Sequence, residues 1–216
     1  MNKVYAFGDS FTFGHELSDC PTNLSPTPSK KSYAALVATY LNFDYQCHAM
    51  GAYANNAISR RLVETIDQID DSDLVLAMWT YPERHEFFLE ELGARSLQAS
   101  DTIPFAVEYF RSVDIKEPVV LYNAAREIYI AQQLLLNKKI KFVFMSSVTN
   151  LSLAAKNRAN VLFDKIDTDY WLFLEHDLGF TDWATKTLNL TFSGHPPDPA
   201  HATLSARIVE KINDKT

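Results

Sequence analysis

The sequence feature that most constrains the fold is an alternation of short strand-like segments with helical patterns. The strand-like segments are too short for helices, and they lie at residues 4–7, 44–49, 74–78 and 141–146. Between them, apolar residues recur at helical spacing in residues 32–41, 55–66 and 118–136. This alternation predicts parallel βαβ units with right-handed crossovers, and therefore an α/β protein built on a central parallel sheet.

Length and composition narrow the classes of protein. With 216 residues and no break in composition, the chain is expected to form a single domain over residues 1–216. A net charge of -7 without a basic stripe argues against a nucleic-acid partner. No leader-like or membrane-spanning apolar stretch is evident, which predicts a cytoplasmic protein at synthesis. Two cysteines without metal spacing and six scattered glycines predict free thiols, no metal and no cofactor.

The first strand breaks into a turn that carries a hydroxyl, Phe7-Gly8-Asp9-Ser10. This turn should lie at the carboxyl end of the sheet, where open α/β sheets bind ligands. The four residues resemble the first block of the SGNH (GDSL-type) hydrolases. That resemblance implies a flavodoxin-like three-layer α/β/α fold with Ser10 as the nucleophile of an ester or acyl hydrolase. The polar residues 15–31 are expected to form a surface loop beside the site.

Two further segments bear on the oxyanion hole. Gly51 follows the second strand and matches the glycine of the second SGNH block, whose amide donates to the oxyanion; a turn glycine is the plain alternative. The Gly-x-Asn-Asp third block is missing, because the chain has Trp-Thr-Tyr-Pro after the third strand. Asn55, Thr80 and Arg84 are the available substitutes. Asn55 could instead cap a helix, and Arg84 could instead pair with a neighbouring glutamate, of which the candidates are Glu83, Glu86 and Glu90.

The last block resembles the SGNH His segment in two registers that name different bases. In the first, His195-Pro196 matches the family's His-Pro, and Phe192 or Ser193 stands where the family has its aspartate. In the second, Asp198 and His201 form the Asp-x-x-His pair. The spacing from histidine to the terminal helix favours His195, which leaves the orienting carboxylate absent or supplied from elsewhere, Asp198 included.

The resemblance implies hydrolysis of a small-molecule or carbohydrate ester through a covalent acyl-enzyme, with no nucleic-acid or membrane partner. The alternative is a binding or structural module that keeps the fold but has lost efficient catalysis, and acyl transfer to another acceptor is a third reading. A Trp-Thr segment in place of the third block resembles variants from tailed phages, which would allow a role at a virion or a host envelope. Residues 86–110 are predicted to be short helix and loop, and the aromatic residues of 151–190 to pack over one sheet edge.

Overall fold

The computed structural model describes residues 1–22, 24–90, 93–98, 100–112, 117–158 and 161–214. The strands in these ranges are β1 (Lys3–Phe7), β2 (Asp44–Cys47), β3 (Leu74–Trp79), β4 (His85–Leu89), β5 (Gly93–Leu97) and β6 (Lys141–Ser146). The α-helices are α1 (Ser10–Phe13), α2 (Tyr33–Leu41), α3 (Asn55–Thr65), α4 (Pro104–Ser112), α5 (Glu117–Asn137), α6 (Thr149–Asn157), α7 (Phe180–Lys186) and α8 (Asp198–Asn213).

The central sheet is parallel throughout, in the order β2-β1-β3-β6. Trp171 extends this order beyond β6 through a single parallel bridge to Phe144, where the Leu172 N–H donates to the Phe144 carbonyl over 2.8 Å. Order and direction match the flavodoxin-like type of doubly wound sheet. The expected α/β fold with a central parallel sheet is therefore confirmed.

Each face of the sheet carries its own hydrophobic core. Side chains alternate along β1, so Tyr5 and Phe7 enter the core beneath α3 and α5, whereas Val4 and Ala6 enter the core beneath α2 and α8. Both faces are buried, which explains why β1 and β3 are almost wholly apolar. The layers bring the carboxyl ends of β1, β3 and β6 to one edge.

Short helix and loop are predicted for residues 86–110, and this prediction is wrong for the first half of the segment, which forms strands. Strands β4 and β5 form an antiparallel hairpin, with His85 opposite Leu97, and α4 follows. The aromatic residues of 151–190 are packing residues, as expected, but they do not gather over one sheet edge: Trp171 and Trp183 are fully buried in the cores on the two opposite faces.

Cys20 and Cys47 are both free thiols. Among the described residues, no three His, Cys, Asp or Glu side chains gather as a metal site. Within the same ranges, every helix is too short or too polar to cross a bilayer.

Candidate active site

The turn after β1 presents Ser10 as the first residue of α1. Asp9 precedes it, and its Oδ1 accepts the Phe11 N–H over 3.1 Å as the helix cap. A Cβ at Gly8 would lie 2.1 Å from Thr12 Oγ1, so only glycine fits where the helix folds back on the strand. The Ser10 hydroxyl has no hydrogen-bond partner among the described residues and is free to react.

Asp9 also fastens the turn to the end of β3. Its Oδ2 accepts hydrogen bonds from Thr80 Oγ1 at 2.6 Å and from Arg84 Nη1 at 3.1 Å. Arg84 therefore pairs with Asp9, and the predicted pairing with a neighbouring glutamate is wrong. The Thr80 hydroxyl is committed to Asp9, whereas Arg84 Nη2 has no partner in the described part of the chain. Of these two substitutes, Arg84 keeps a donor to spare.

Asn55 is engaged at both ends of its amide. Its Nδ2 donates to the Thr80 carbonyl over 3.1 Å, and its Oδ1 accepts the Thr80 N–H over 2.8 Å. The cap position of α3 is Ala54, without a side-chain bond, so the capping alternative for Asn55 is wrong. Asn55 holds α3 against the end of β3 through one of its two Nδ2 protons and its Oδ1.

Gly51 lies directly beneath the ring of His15. A Cβ at Gly51 would come within 2.8 Å of His15 Cε1, so the close approach of this ring requires glycine. The backbone N–H groups of Gly51 and Ser10 have no acceptor within the ranges described. Both amides are thus available to an oxyanion.

The final loop brings His195 to the turn that carries Ser10. Its ring packs edge-on against Phe11 with centroids 5.2 Å apart, and against His15 at 6.0 Å. His15 in turn donates its backbone N–H to the Ser10 carbonyl over 3.1 Å. The two ends of the chain therefore meet at the turn that carries Ser10, although no imidazole in the described ranges hydrogen-bonds the Ser10 hydroxyl.

The structure does not contain the Asp198–His201 pair of the second register. His201 is completely buried, its Nδ1 accepts the Tyr33 N–H over 3.1 Å, and burial lowers its pKa to about 3. Asp198 instead accepts from the Ser18 N–H, the Ser18 hydroxyl and Lys31 Nζ at 3.0, 2.6 and 3.1 Å. Partial burial raises the pKa of Asp198, but these bonds outweigh it and lower the pKa to about 2. Both residues hold α8 in place, which argues against His201 as the base and Asp198 as its partner.

Sequence reasoning missed two residues of this site, His15 and Glu16. Burial lowers the pKa of His15, and nearby His195 lowers it further, so the ring favours its neutral form. Glu16 approaches His195, with 3.0 Å between Oε1 and Nδ1. Both residues lie in the segment 15–31 that the sequence predicts to be a surface loop. The available signal was position, since they follow Ser10 within six residues.

A cleft of about 330 Å³ opens where β3 and β6 end. Tyr81, Ser147, Thr149 and Asp182 are among its lining residues. The hydroxyls of Ser147 and of Thr181, which also lines the cleft, are buried without a partner among the described residues. Tyr81 connects the cleft to the turn, because the Arg84 guanidinium lies 4.6 Å above its ring.

Solved structures that superpose on this chain include esterases and members of the lipolytic G-D-S-L family. A member of the lipolytic G-D-S-L family from Veillonella parvula DSM 2008 superposes with a TM-score of 0.54 at 10% identity, covering 97% of both chains. The psychrotrophic esterase EstA from Pseudoalteromonas sp. gives 0.54 at 11%, covering 99% of this chain and 98% of that one. A carbohydrate esterase, whose active site is described as having divergent catalytic and non-catalytic binding functions, gives 0.53 at 15%, covering 99% of this chain and 65% of that one.

No family model matches the sequence. A search of curated proteins likewise finds no match. The chain therefore has the fold of the SGNH hydrolases, at a sequence identity of 10–15% to the structures named above.

Proposed function

We propose that the protein is a serine-dependent ester hydrolase, with Ser10 as nucleophile and His195 as general base. The observation that carries the proposal is the meeting of the two ends of the chain: the His195 ring packs on Phe11, the residue next to an unpaired Ser10 hydroxyl. Of the two candidate registers, this geometry favours the first. In unliganded sites the hydrogen bond between a catalytic histidine and its nucleophile is often long, and it shortens when substrate binds.

In the proposed reaction, Ser10 Oγ passes its proton to His195 and bonds to the ester carbonyl carbon. The N–H groups of Ser10 and Gly51 donate to the resulting oxyanion. The imidazolium then protonates the leaving alkoxide as its C–O bond breaks, which leaves an acyl-serine. Water, deprotonated by His195, attacks this acyl group, and Ser10 recovers its proton as the acid departs.

The third oxyanion donor is proposed to be Arg84. Its Nη2 has no partner among the described residues, and its charge would stabilise an oxyanion more strongly than a neutral amide. Its pairing with Asp9 keeps the guanidinium beside the nucleophile turn. Asn55 and Thr80 are assigned the supporting role of holding this corner together.

For the substrate, the adjoining cleft supports an acylated sugar or another polyol ester. The Ser147 and Thr181 hydroxyls that line the cleft have no hydrogen-bond partner among the described residues. Substrate hydroxyls can supply the missing partner. Glu83 and Asp182 also line the cleft and disfavour anionic substrates. The carbohydrate esterase among the structural neighbours is consistent with this class.

The alternative is a binding module with the same fold. Its support is the unpaired Ser10 hydroxyl together with the missing third-block asparagine. The two proposals differ in whether the purified protein turns over an ester and in whether that turnover depends on Ser10.

The test is hydrolysis of p-nitrophenyl acetate and of an acetylated sugar by the wild type and three variants. Ser10→Ala is expected to abolish turnover, and His195→Ala to lower kcat by about 100-fold or more, the usual share of a general base. His201→Gln should retain most of the kcat, since His201 lies in the core. A fluorophosphonate should label Ser10, as located by peptide mass spectrometry.

Ser205→Ala is the matched control, because Ser205 is an exposed serine that only bonds the Ala202 carbonyl on α8. Turnover by Ser10→Ala equal to that of the wild type would refute the hydrolase and favour the binding module. A larger loss in His201→Gln than in His195→Ala, at equal stability, would restore the second register.

A further inference from the structure

We propose that Glu16 is the positioning residue of His195 and replaces the aspartate that the last sequence block lacks. The inference rests on the proposed hydrolase function. It assigns the orienting carboxylate to the nucleophile loop, whereas the sequence pattern looks for it three residues before the histidine.

The Glu16 carboxylate contacts both the ring and the backbone of His195. Oε1 lies 3.0 Å from Nδ1 of the ring, and Oε2 accepts the His195 backbone N–H over 3.2 Å. The Nδ1 contact is at ion-pair distance without the alignment of a hydrogen bond.

The backbone on both sides is shaped for this contact. Gly194 has φ +98, and a Cβ there would lie 2.8 Å from Glu16 Oε2, so a side chain at this position would displace the carboxylate. Glu16 itself has φ 66, a left-handed conformation that is unfavourable for a non-glycine residue. Two unusual backbone positions thus serve one contact, and one of them admits only glycine.

The contact has a chemical consequence for the base. A carboxylate at Nδ1 favours the tautomer with its proton on Nδ1, which leaves Nε2 unprotonated and able to accept the Ser10 proton. The carboxylate then stabilises the imidazolium that forms. Asp198 is the rival source, but its oxygens are engaged by Ser18 and Lys31.

The test compares Glu16→Gln, Glu16→Asp and Asp198→Asn with the wild type, measuring kcat, KM and the rate at which a fluorophosphonate labels Ser10. Glu16→Gln keeps the shape but loses the charge, so kcat and the labelling rate should fall at least about tenfold with KM nearly unchanged. The loss is expected to be smaller than in a fully buried triad because Glu16 is partly exposed. Glu16→Asp should recover much of the loss, since aspartate tolerates a positive φ.

Asp198→Asn is the matched control, as it removes a carboxylate from the same end of the chain and should keep kcat within about twofold. Gly194→Ala disturbs the same contact from the His195 side. Alone it should lower kcat, and in combination with Glu16→Gln it should lower kcat little further. Wild-type kcat and labelling in a folded Glu16→Gln variant, or a loss confined to KM, would overturn the assignment. A wild type that neither hydrolyses esters nor is labelled would instead refute the proposed function itself.

Discussion

At the scale of single residues, Asp9 holds the turn that carries Ser10, the candidate nucleophile. One oxygen caps α1 and the other receives Thr80 and Arg84 from the end of β3. The side chain is completely buried, and a buried carboxylate is tolerable only with such partners. The aspartate of the Gly-Asp-Ser turn thus holds Ser10 to the sheet.

His201 shows how a histidine in a motif can be a core residue. It stacks on Tyr33 and meets Phe180 edge-on with centroids 5.0 Å apart. Its Nδ1 accepts a backbone proton, so the neutral tautomer carries its own proton on Nε2. Protonating Nδ1 would break that bond and bury a charge.

We expect stability to fall below pH 6.5 because of His201. Burial lowers its pKa in the folded state from 6.5 to about 3, so between these values the unfolded chain binds a proton that the native one does not. The stabilisation is complete above pH 6.5 and is lost as pH falls, with a limiting slope of about 1.4 kcal/mol per pH unit. Urea unfolding of the wild type at pH 8, 7, 6 and 5 measures this slope.

His201→Gln is the comparison, because glutamine can accept the Tyr33 N–H but does not titrate. The difference in unfolding free energy between the wild type and this variant should shrink as pH falls. The series stays above pH 4.5, where Asp198, with a pKa of about 2, is still ionised. Parallel curves would show that His201 is not the origin of the acid sensitivity.

At the scale of elements, the hairpin β4–β5 departs from the usual burial pattern of a strand, which is why the sequence does not predict it. Glu86 is buried, whereas Phe88 is 71% exposed, the reverse of the usual pattern. Arg60 on α3 accounts for both: it forms a bidentate ion pair with Glu86, both bonds 2.8 Å long, and its guanidinium lies 5.6 Å from the Phe88 ring. A polar residue thus faces inward because its partner comes from another element.

Removing Arg60 should loosen this hairpin from α3. Arg60→Met leaves the buried Glu86 carboxylate without its ion-pair partner, and we expect a loss of about 3 kcal/mol in the free energy of unfolding. Urea denaturation at pH 7 is the measurement.

The matched control is Arg61→Met on the same helix. Its ion pair with Glu64 is largely exposed, and such pairs contribute at most about 1 kcal/mol. The double variant Arg60→Met/Glu86→Leu should be milder than Arg60→Met alone, because it removes the unpaired charge as well. Equal losses for Arg60→Met and Arg61→Met would show that the ion pair does not hold the hairpin.

At the scale of the whole molecule, the candidate site is assembled from distant parts of one chain. Ser10 follows the first strand, Arg84 the third, and His195 precedes the last helix. Helices α2 and α8 pack on the same face of the sheet, and this packing carries the final loop to the nucleophile turn.

The net charge of -7 should also influence substrate choice. Anionic esters are repelled by the overall field, so an ester with a free carboxylate should have a lower kcat/KM than a neutral ester of equal length at low salt. The ratio of anionic to neutral ester should rise towards a plateau as ionic strength increases from about 0.01 to 0.5 M, because the Debye length shrinks from about 30 Å to a few ångströms.

Paired assays of p-nitrophenyl hexanoate and the p-nitrophenyl half-ester of adipic acid, whose carboxylate is too far from the ester to form a five-membered anhydride, measure this ratio. Both substrates share the leaving group, so salt effects on the leaving group cancel in the ratio. A faster reaction of the anionic ester at low salt would mean that the local charge of Arg84 outweighs the field of the whole molecule.

The sequence by itself determined the alternation of strands and helices and placed the Gly-Asp-Ser turn after the first strand. These features depend on the period of apolar residues and on local turn chemistry, which neighbouring residues dictate. Only the tertiary structure decided that Glu16 approaches His195, that Arg84 joins Asp9, and that Glu86 faces inward to Arg60. The partner of a charged side chain depends on how separate elements pack, because Coulombic and hydrogen-bonding contacts act over a few ångströms between residues far apart in the chain.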